Sequence, residues 1–158
     1  MYTPDQRARR DASRWTFVQG VLAPLQFAVF LVSLVLVVRY LMTGEGAFAA
    51  TVSVVIKTLT LYAIMITGSL WEKDVFDRYL FAGPFFWEDV FSMLVLALHT
   101  AYLAAVGFGW LSVTGQMWLA LAAYATYLVN AGQFLWKFRL ARNEPPTRGP
   151  TIMAGDML

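Results

Sequence analysis

The sequence predicts an all-α polytopic membrane protein, a bundle of four transmembrane helices with both termini on the cytoplasmic side. Three observations carry that prediction. Of the 158 residues, 59% are apolar and only 14% are charged. The apolar residues gather into four runs, each about as long as the ~20 residues that cross a hydrocarbon core of ~30 Å. The basic residues fall almost entirely at one set of run ends, which orients the bundle.

The elements follow in chain order. TPDQRARRDASRW opens with a capping box, Thr3 as N-cap and Gln6 three residues on with Pro4 between, so a short basic helix at the membrane surface is expected. Residues 18–42 form the first span. Pro24 should kink it without ending it, because neighbours in a bundle satisfy the freed carbonyl. The run is too long for a signal-peptide core and lacks a small-residue cleavage pattern after it. After TGEG, residues 47–71 form the second span, with Lys57, Gly68 and Glu72 within about 60° of one another. EKDVFDRYLFAGP is a polar connection ending on the breakers Gly83 and Pro84. Residues 85–109 make the third span, SVTG turns the chain, and residues 115–138 make the fourth. Thr126, Asn130, Gln133 and Lys137 line one side of it. Residues 1–142 thus read as a single membrane domain and 143–158, with three prolines, as a disordered tail.

Orientation follows from charge. Arg7, Arg9, Arg10 and Arg14 precede the first span, Lys73 and Arg78 lie between the second and third, and Lys137, Arg139, Arg142 and Arg148 follow the fourth, against Arg39 alone at the other surface. The tryptophans agree: Trp15, Trp71, Trp87 and Trp136 fall at the inner span ends, Trp110 and Trp118 at the outer ends.

The stretch FFWEDVFSMLVLALHTAYLAAV concentrates the chemistry, since it carries two acids and the chain's one histidine in an apolar run. At about 100° per residue, Glu88, Ser92 and His99 fall within roughly 40° of one another, and Asp89 lies beside them. An ionisable group inside a span faces a bundle interior or a cavity, so this stripe is a candidate site. WEKDVF and WEDVF further set Glu72 and Glu88 at facing ends of adjacent antiparallel helices. Paired acids in unequal surroundings are what acid–base chemistry requires. The plainer reading of Glu88 and Asp89 is favourable charge in a first helical turn. His99 reads either as a hydrogen-bonding core residue or as an axial metal ligand or proton carrier. Lys57 either neutralises an acid across the bundle or holds a ligand carboxylate. Asn130 and Gln133 are interhelical hydrogen-bond partners or, with Gln26, polar corners of a pocket open toward the cytoplasmic leaflet. Such a pocket, walled by Phe, Tyr and Met, suits a flat and largely apolar ligand.

Some classes are excluded. With no cysteine there is no disulfide, thiolate metal site or iron–sulfur centre, and one histidine cannot give bis-histidine haem. No cofactor is expected. A net charge of +2 gives no argument for nucleic acid as a partner.

WTFVQGVLAPLQF, KTLTLYAIMITGSLWEK and above all FFWEDVFSMLVLALHTAYL resemble the 2-vinyl bacteriochlorophyllide hydratases of purple phototrophic bacteria, a likeness covering residues 2 to about 142. The resemblance implies a hydro-lyase that adds water to the C3 vinyl group of a magnesium chlorin or bacteriochlorin, giving a 1-hydroxyethyl group, in bacteriochlorophyll a synthesis. It further implies a multi-pass protein of a bacterial inner or photosynthetic membrane, with other enzymes of that synthesis as candidate partners; the oligomeric state stays open. No catalytic residue carries over from it. The reading of the residues assigns Glu88 as acid, Asp89 or Glu72 as the group positioning water, and His99 as candidate axial ligand to the substrate magnesium. Along one helix, Glu88 and His99 stand roughly 16 Å apart, so both roles hold together only if the ring stands along the helix. The rival classes are a non-catalytic pigment carrier or assembly factor, and a small transporter. The outer halves of the spans, with little polarity beyond Ser53 and Lys57, rank the transporter last.

Overall fold

The structure, a computed structural model, describes residues 2–143; the tail expected to be disordered lies outside the described residues but for Asn143. Five α-helices follow one another: α1 (Pro4–Ala12), α2 (Arg14–Thr43), α3 (Ala47–Phe76), α4 (Phe86–Phe108) and α5 (Val113–Asn143), with a 3-10 turn (Gly83–Phe85) ahead of α4.

The capping box of α1 forms as its pattern predicts. Thr3 Oγ1 accepts from the Gln6 backbone N–H at 3.1 Å, and Gln6 Oε1 accepts from the Thr3 N–H at 3.0 Å, so two otherwise orphaned donors are satisfied. The helix folds back onto the end of α3. Ser13 Oγ donates to Asp74 Oδ2 at 2.7 Å, Arg9 lies 3.8 Å from Asp77, and the Tyr2 ring stacks on Phe76 with centroids 5.6 Å apart. α2 runs through Pro24 unbroken and stops at Gly44, whose φ of 74° is the left-handed cap that glycine adopts without a Cβ clash. α3 continues past its expected end to Phe76, and α5 continues to Asn143.

α2 packs along α3 and α4 along α5, making two antiparallel hairpins joined by lighter contacts of α3 and α5 with the opposite pair. Phe30, Val37, Val54, Tyr102, Met117 and Tyr124 form the main core. A second cluster of Tyr2, Trp71, Val75, Phe85 and Ala141 closes the end where α1 docks. Trp71 is therefore not an interfacial ring: it is buried, and its indole N–H donates to Thr16 Oγ1 at 2.9 Å. Trp87, Trp110, Trp118 and Trp136 are exposed, as belt residues must be.

Among the described residues, three helical segments are long and apolar enough to cross a membrane: Arg14–Thr43, Ala47–Phe76 and Gly83–Phe108. By length and apolarity three helices qualify, not the four expected. α5 has the length, at 31 residues, but Gln116, Thr126, Asn130, Gln133 and Lys137 dilute its hydropathy. Several of those polar groups turn inward: Gln116 Nε2 donates to Ala105 O at 3.2 Å, and Asn130 is buried against α4. Average hydropathy counts such residues as if lipid met them.

Candidate functional site

The acids that the sequence places close together are sorted by the fold into two different surroundings. Glu88 and Asp89 are consecutive in the first turn of α4 and so point about 100° apart. Asp89 turns toward α3, where its carboxyl stands beside that of Glu72. Two carboxyl groups so placed can hold one proton between them. Both side chains are 4% exposed.

The connection between α3 and α4 completes this pair. Asp77 and Phe81 take φ of 65° and 61°, left-handed values that cost a non-glycine residue about 1–3 kcal/mol. The resulting path aims two consecutive amides at the acids. The Phe81 N–H donates to Asp89 Oδ2 at 3.0 Å and the Ala82 N–H to Glu72 Oε2 at 3.4 Å. Sequence reasoning treats this stretch as a polar linker and misses its role, because backbone donors leave no residue-type signal.

Glu88 turns toward α5. Its Oε1 lies 3.6 Å from Lys137 Nζ, which also donates to Pro84 O at 2.9 Å, while its Oε2 has no partner among the described residues. Asn130 Nδ2 donates to the Glu88 carbonyl at 3.0 Å and lies 3.1 Å from Gln133 Oε1. Ser92 Oγ stands 2.8 Å from the same carbonyl and 2.9 Å from Asn130 Oδ1, with one proton to give. Ser92, Asn130, Gln133 and Lys137 thus tie α5 to the start of α4. Lys137 was visible in sequence as part of the Asn130–Gln133 stripe, though not as the partner of Glu88.

A cavity of about 1110 Å³ opens between α2 and α5, with α3 behind it and α1 across its end. That is above the usual ~300–1,000 Å³ of small-molecule sites and has room for a macrocycle. Glu72 and Asp89 both line it, along with Gln26, Ser92 and Asn130. Its walls are otherwise mainly apolar: Ala23, Phe27 and Pro24 from α2, Ile64 and Met65 from α3, Phe134 and Phe138 from α5. Gly20 and Gly132 face each other's helix on this wall, and a Cβ added at either meets no atom within 4 Å.

Glu88, Gln133, Lys57 and His99 are not on the wall. Lys57 and His99 are wholly buried behind it. Lys57 Nζ sits 3.6 Å from the centroid of the ring of Tyr127, a cavity-lining residue, in a cation–π contact. His99 Nδ1 donates to Val95 O at 2.8 Å, its ring lies 5.8 Å from that of Tyr124, and Nε2 has no partner among the described residues. Gln26 Oε1, on the wall, is likewise without one. The stripe of Glu88, Ser92 and His99 is therefore an α4 face packed on α5, and the cavity instead receives Glu72, Asp89 and Ser92.

No solved structure matches the chain. A protein from Cereibacter sphaeroides named 2-vinyl bacteriochlorophyllide hydratase is 65% identical over 147 residues, covering 90% of this chain and 88% of its own length. One of the same name from Rhodobacter capsulatus is also 65% identical over 147 residues, covering 90% of this chain and 82% of its own. The family described as 2-vinyl bacteriochlorophyllide hydratase (BCHF) matches residues 2–140. With nearly the whole chain matched at that identity, the protein belongs to the 2-vinyl bacteriochlorophyllide hydratase family.

Proposed function

We propose that this protein hydrates the C3 vinyl group of a magnesium (bacterio)chlorophyllide inside the α2–α5 cavity, with the Glu72–Asp89 pair as the source of the proton. The observation that carries the assignment is that these two carboxyls line the cavity side by side, each anchored by one of two consecutive backbone amides, while Glu88 lies off the wall beside Lys137. The pair gives a proton to the terminal vinyl carbon, which becomes the methyl group. The macrocycle delocalises the positive charge left on the carbon next to the ring. Water then adds to that carbon and loses a proton back to the pair, so the acid is regenerated and the net change is addition of H2O. The amides of Phe81 and Ala82 hold both carboxyls in place through the cycle, at any moment supporting the charged member. Ser92 and Asn130, on the same wall, are the polar groups placed to hold the water. His99 and Lys57 stand behind the wall, Lys57 against the cavity-lining Tyr127 ring and His99 beside Tyr124, and neither touches the magnesium.

The test is purified protein, magnesium pigment and water. Expected is the 1-hydroxyethyl product. In Glu88→Gln the product should still form at near the wild-type rate per folded protein, with a lower thermal midpoint because Lys137 loses its carboxylate and keeps only Pro84 O. Pigment bound and released unchanged by the wild type would make the chain a carrier. Hydration lost in Glu88→Gln but kept in Glu72→Gln would return the proton to Glu88.

The topology we infer has four spans in a bacterial inner membrane, α5 crossing beside α4, with the termini and the loop around Arg78 cytoplasmic. It is supported by the antiparallel α4–α5 packing and by the basic residues at those ends. Single cysteines at Arg78 and Asn143 should label from one side and a cysteine at Ser112 from the other; all three positions are exposed. Ser112 and Asn143 labelling together would lay α5 along the surface.

A further inference from the structure

The cavity wall carries groups of both charges. Its acids, Glu72 and Asp89, are held by the loop that joins α3 and α4. Three arginines, Arg7 and Arg10 of α1 and Arg142 in the last turn of α5, also line it. They come from opposite ends of the chain, and only the docking of α1 across the bundle puts them on one cavity. The other basic residues of these segments, Arg9, Arg14 and Arg139, do not line it. Arg10 is held in place: its guanidinium lies 4.7 Å from the centroid of the buried Tyr2 ring, and Nε and Nη2 each lie 3.0 Å from Asp11 Oδ1. From Tyr127 to Arg142 the α5 wall runs on the order of 22 Å, at ~1.5 Å per residue, with Phe134 and Phe138 between. A ligand filling this space meets an acid pair, apolar walls and guanidinium groups.

We propose that Arg7, Arg10 and Arg142 form a carboxylate-binding rim that takes the free propionate of the pigment and makes the enzyme select the acid over its ester. The proposal rests on the hydratase reading above. A chlorophyllide carries its vinyl group and its propionate on different pyrrole rings of the macrocycle. Seating the propionate at the rim therefore fixes which edge of the ring can reach Glu72 and Asp89. Guanidinium is the group that suits this task, because its planar fork stays charged and meets both carboxylate oxygens. An oxyanion at this rim has two sources, the pigment carboxylate or the phosphate of a membrane lipid, and the test separates them.

The test compares the free-acid pigment with its methyl ester, the macrocycle and magnesium unchanged, in lipid-free detergent micelles. For the wild type, KM for the acid should be about 10- to 100-fold lower than for the ester, as charge-assisted hydrogen bonds imply. In the double variant Arg10→Gln/Arg142→Gln the acid's KM should rise to that of the ester, with kcat kept and the ester's KM unmoved. Arg142→Gln alone, at an exposed last turn, should show part of the same shift. A wild type that turns over acid and ester alike overturns the rim. So does a variant that weakens both pigments equally, which would mark these arginines as binding lipid headgroups or holding α1. Failure of the wild type to hydrate either pigment would instead remove the hydratase reading on which the rim depends.

Discussion

Glu72→Gln and Asp89→Asn are each expected to leave pigment bound and to slow its hydration by about 10²- to 10⁴-fold, the range that a positioned general acid contributes. The amides keep the shape of the site. A glutamine at position 72 can still accept from the Ala82 N–H and donate to Asp89, and an asparagine at 89 can still accept from the Phe81 N–H, so the loop stays in place. What is lost, on the proposed assignment, is the acid that protonates the vinyl carbon. Deuterated water gives an independent readout, since the new methyl group should carry one solvent deuterium when protonation is irreversible. Wild-type rates in both variants would take carboxylic acid catalysis away from this pair. A loss in one variant only would say which carboxyl faces the vinyl group.

The second large effect concerns space. Gly132→Leu should abolish productive pigment binding, raising KM by on the order of 100-fold or more, as overpacking by ~3 kcal/mol implies. The fold should be unharmed, and even firmer: a glycine inside a helix is less favourable than leucine by roughly 0.5–1 kcal/mol. Beyond its own helix backbone no atom lies within 4 Å of a Cβ at this cavity-lining position, so a side chain there takes up cavity space without a clash. Gly20→Leu approaches from α2 and should act the same way. The check is a pigment titration beside a thermal melt. Unchanged or higher thermal stability with lost binding places the ligand between α2 and α5, and tight binding in both variants would move it elsewhere.

The capping box, Pro24 within an unbroken helix, and the end of α2 at Gly44 were all legible from residue types, because each depends on local backbone chemistry. Three of the four expected spans were legible too; α5 falls short because a polar face buried against α4 lowers its average hydropathy.

Composition, run length and charge asymmetry by themselves determined that this chain is a helical membrane protein, and its unbroken apolar stretches with embedded acids determined which family it resembles. Those properties are sums along the chain, and they survive any rotation of a helix about its axis. The site does not. Glu88 and Asp89 are neighbours in sequence with the same charge, and spacing alone grouped Glu88 with His99. Only the packing of α4 between α3 and α5, and the left-handed turns at Asp77 and Phe81, gave Asp89 to Glu72 and Glu88 to Lys137. The arginines of α1 and α5 likewise reach one cavity only because α1 folds back across the bundle. A rotation of about 100° separates consecutive helical residues, so which of two adjacent acids meets a ligand is decided by the neighbours it packs against.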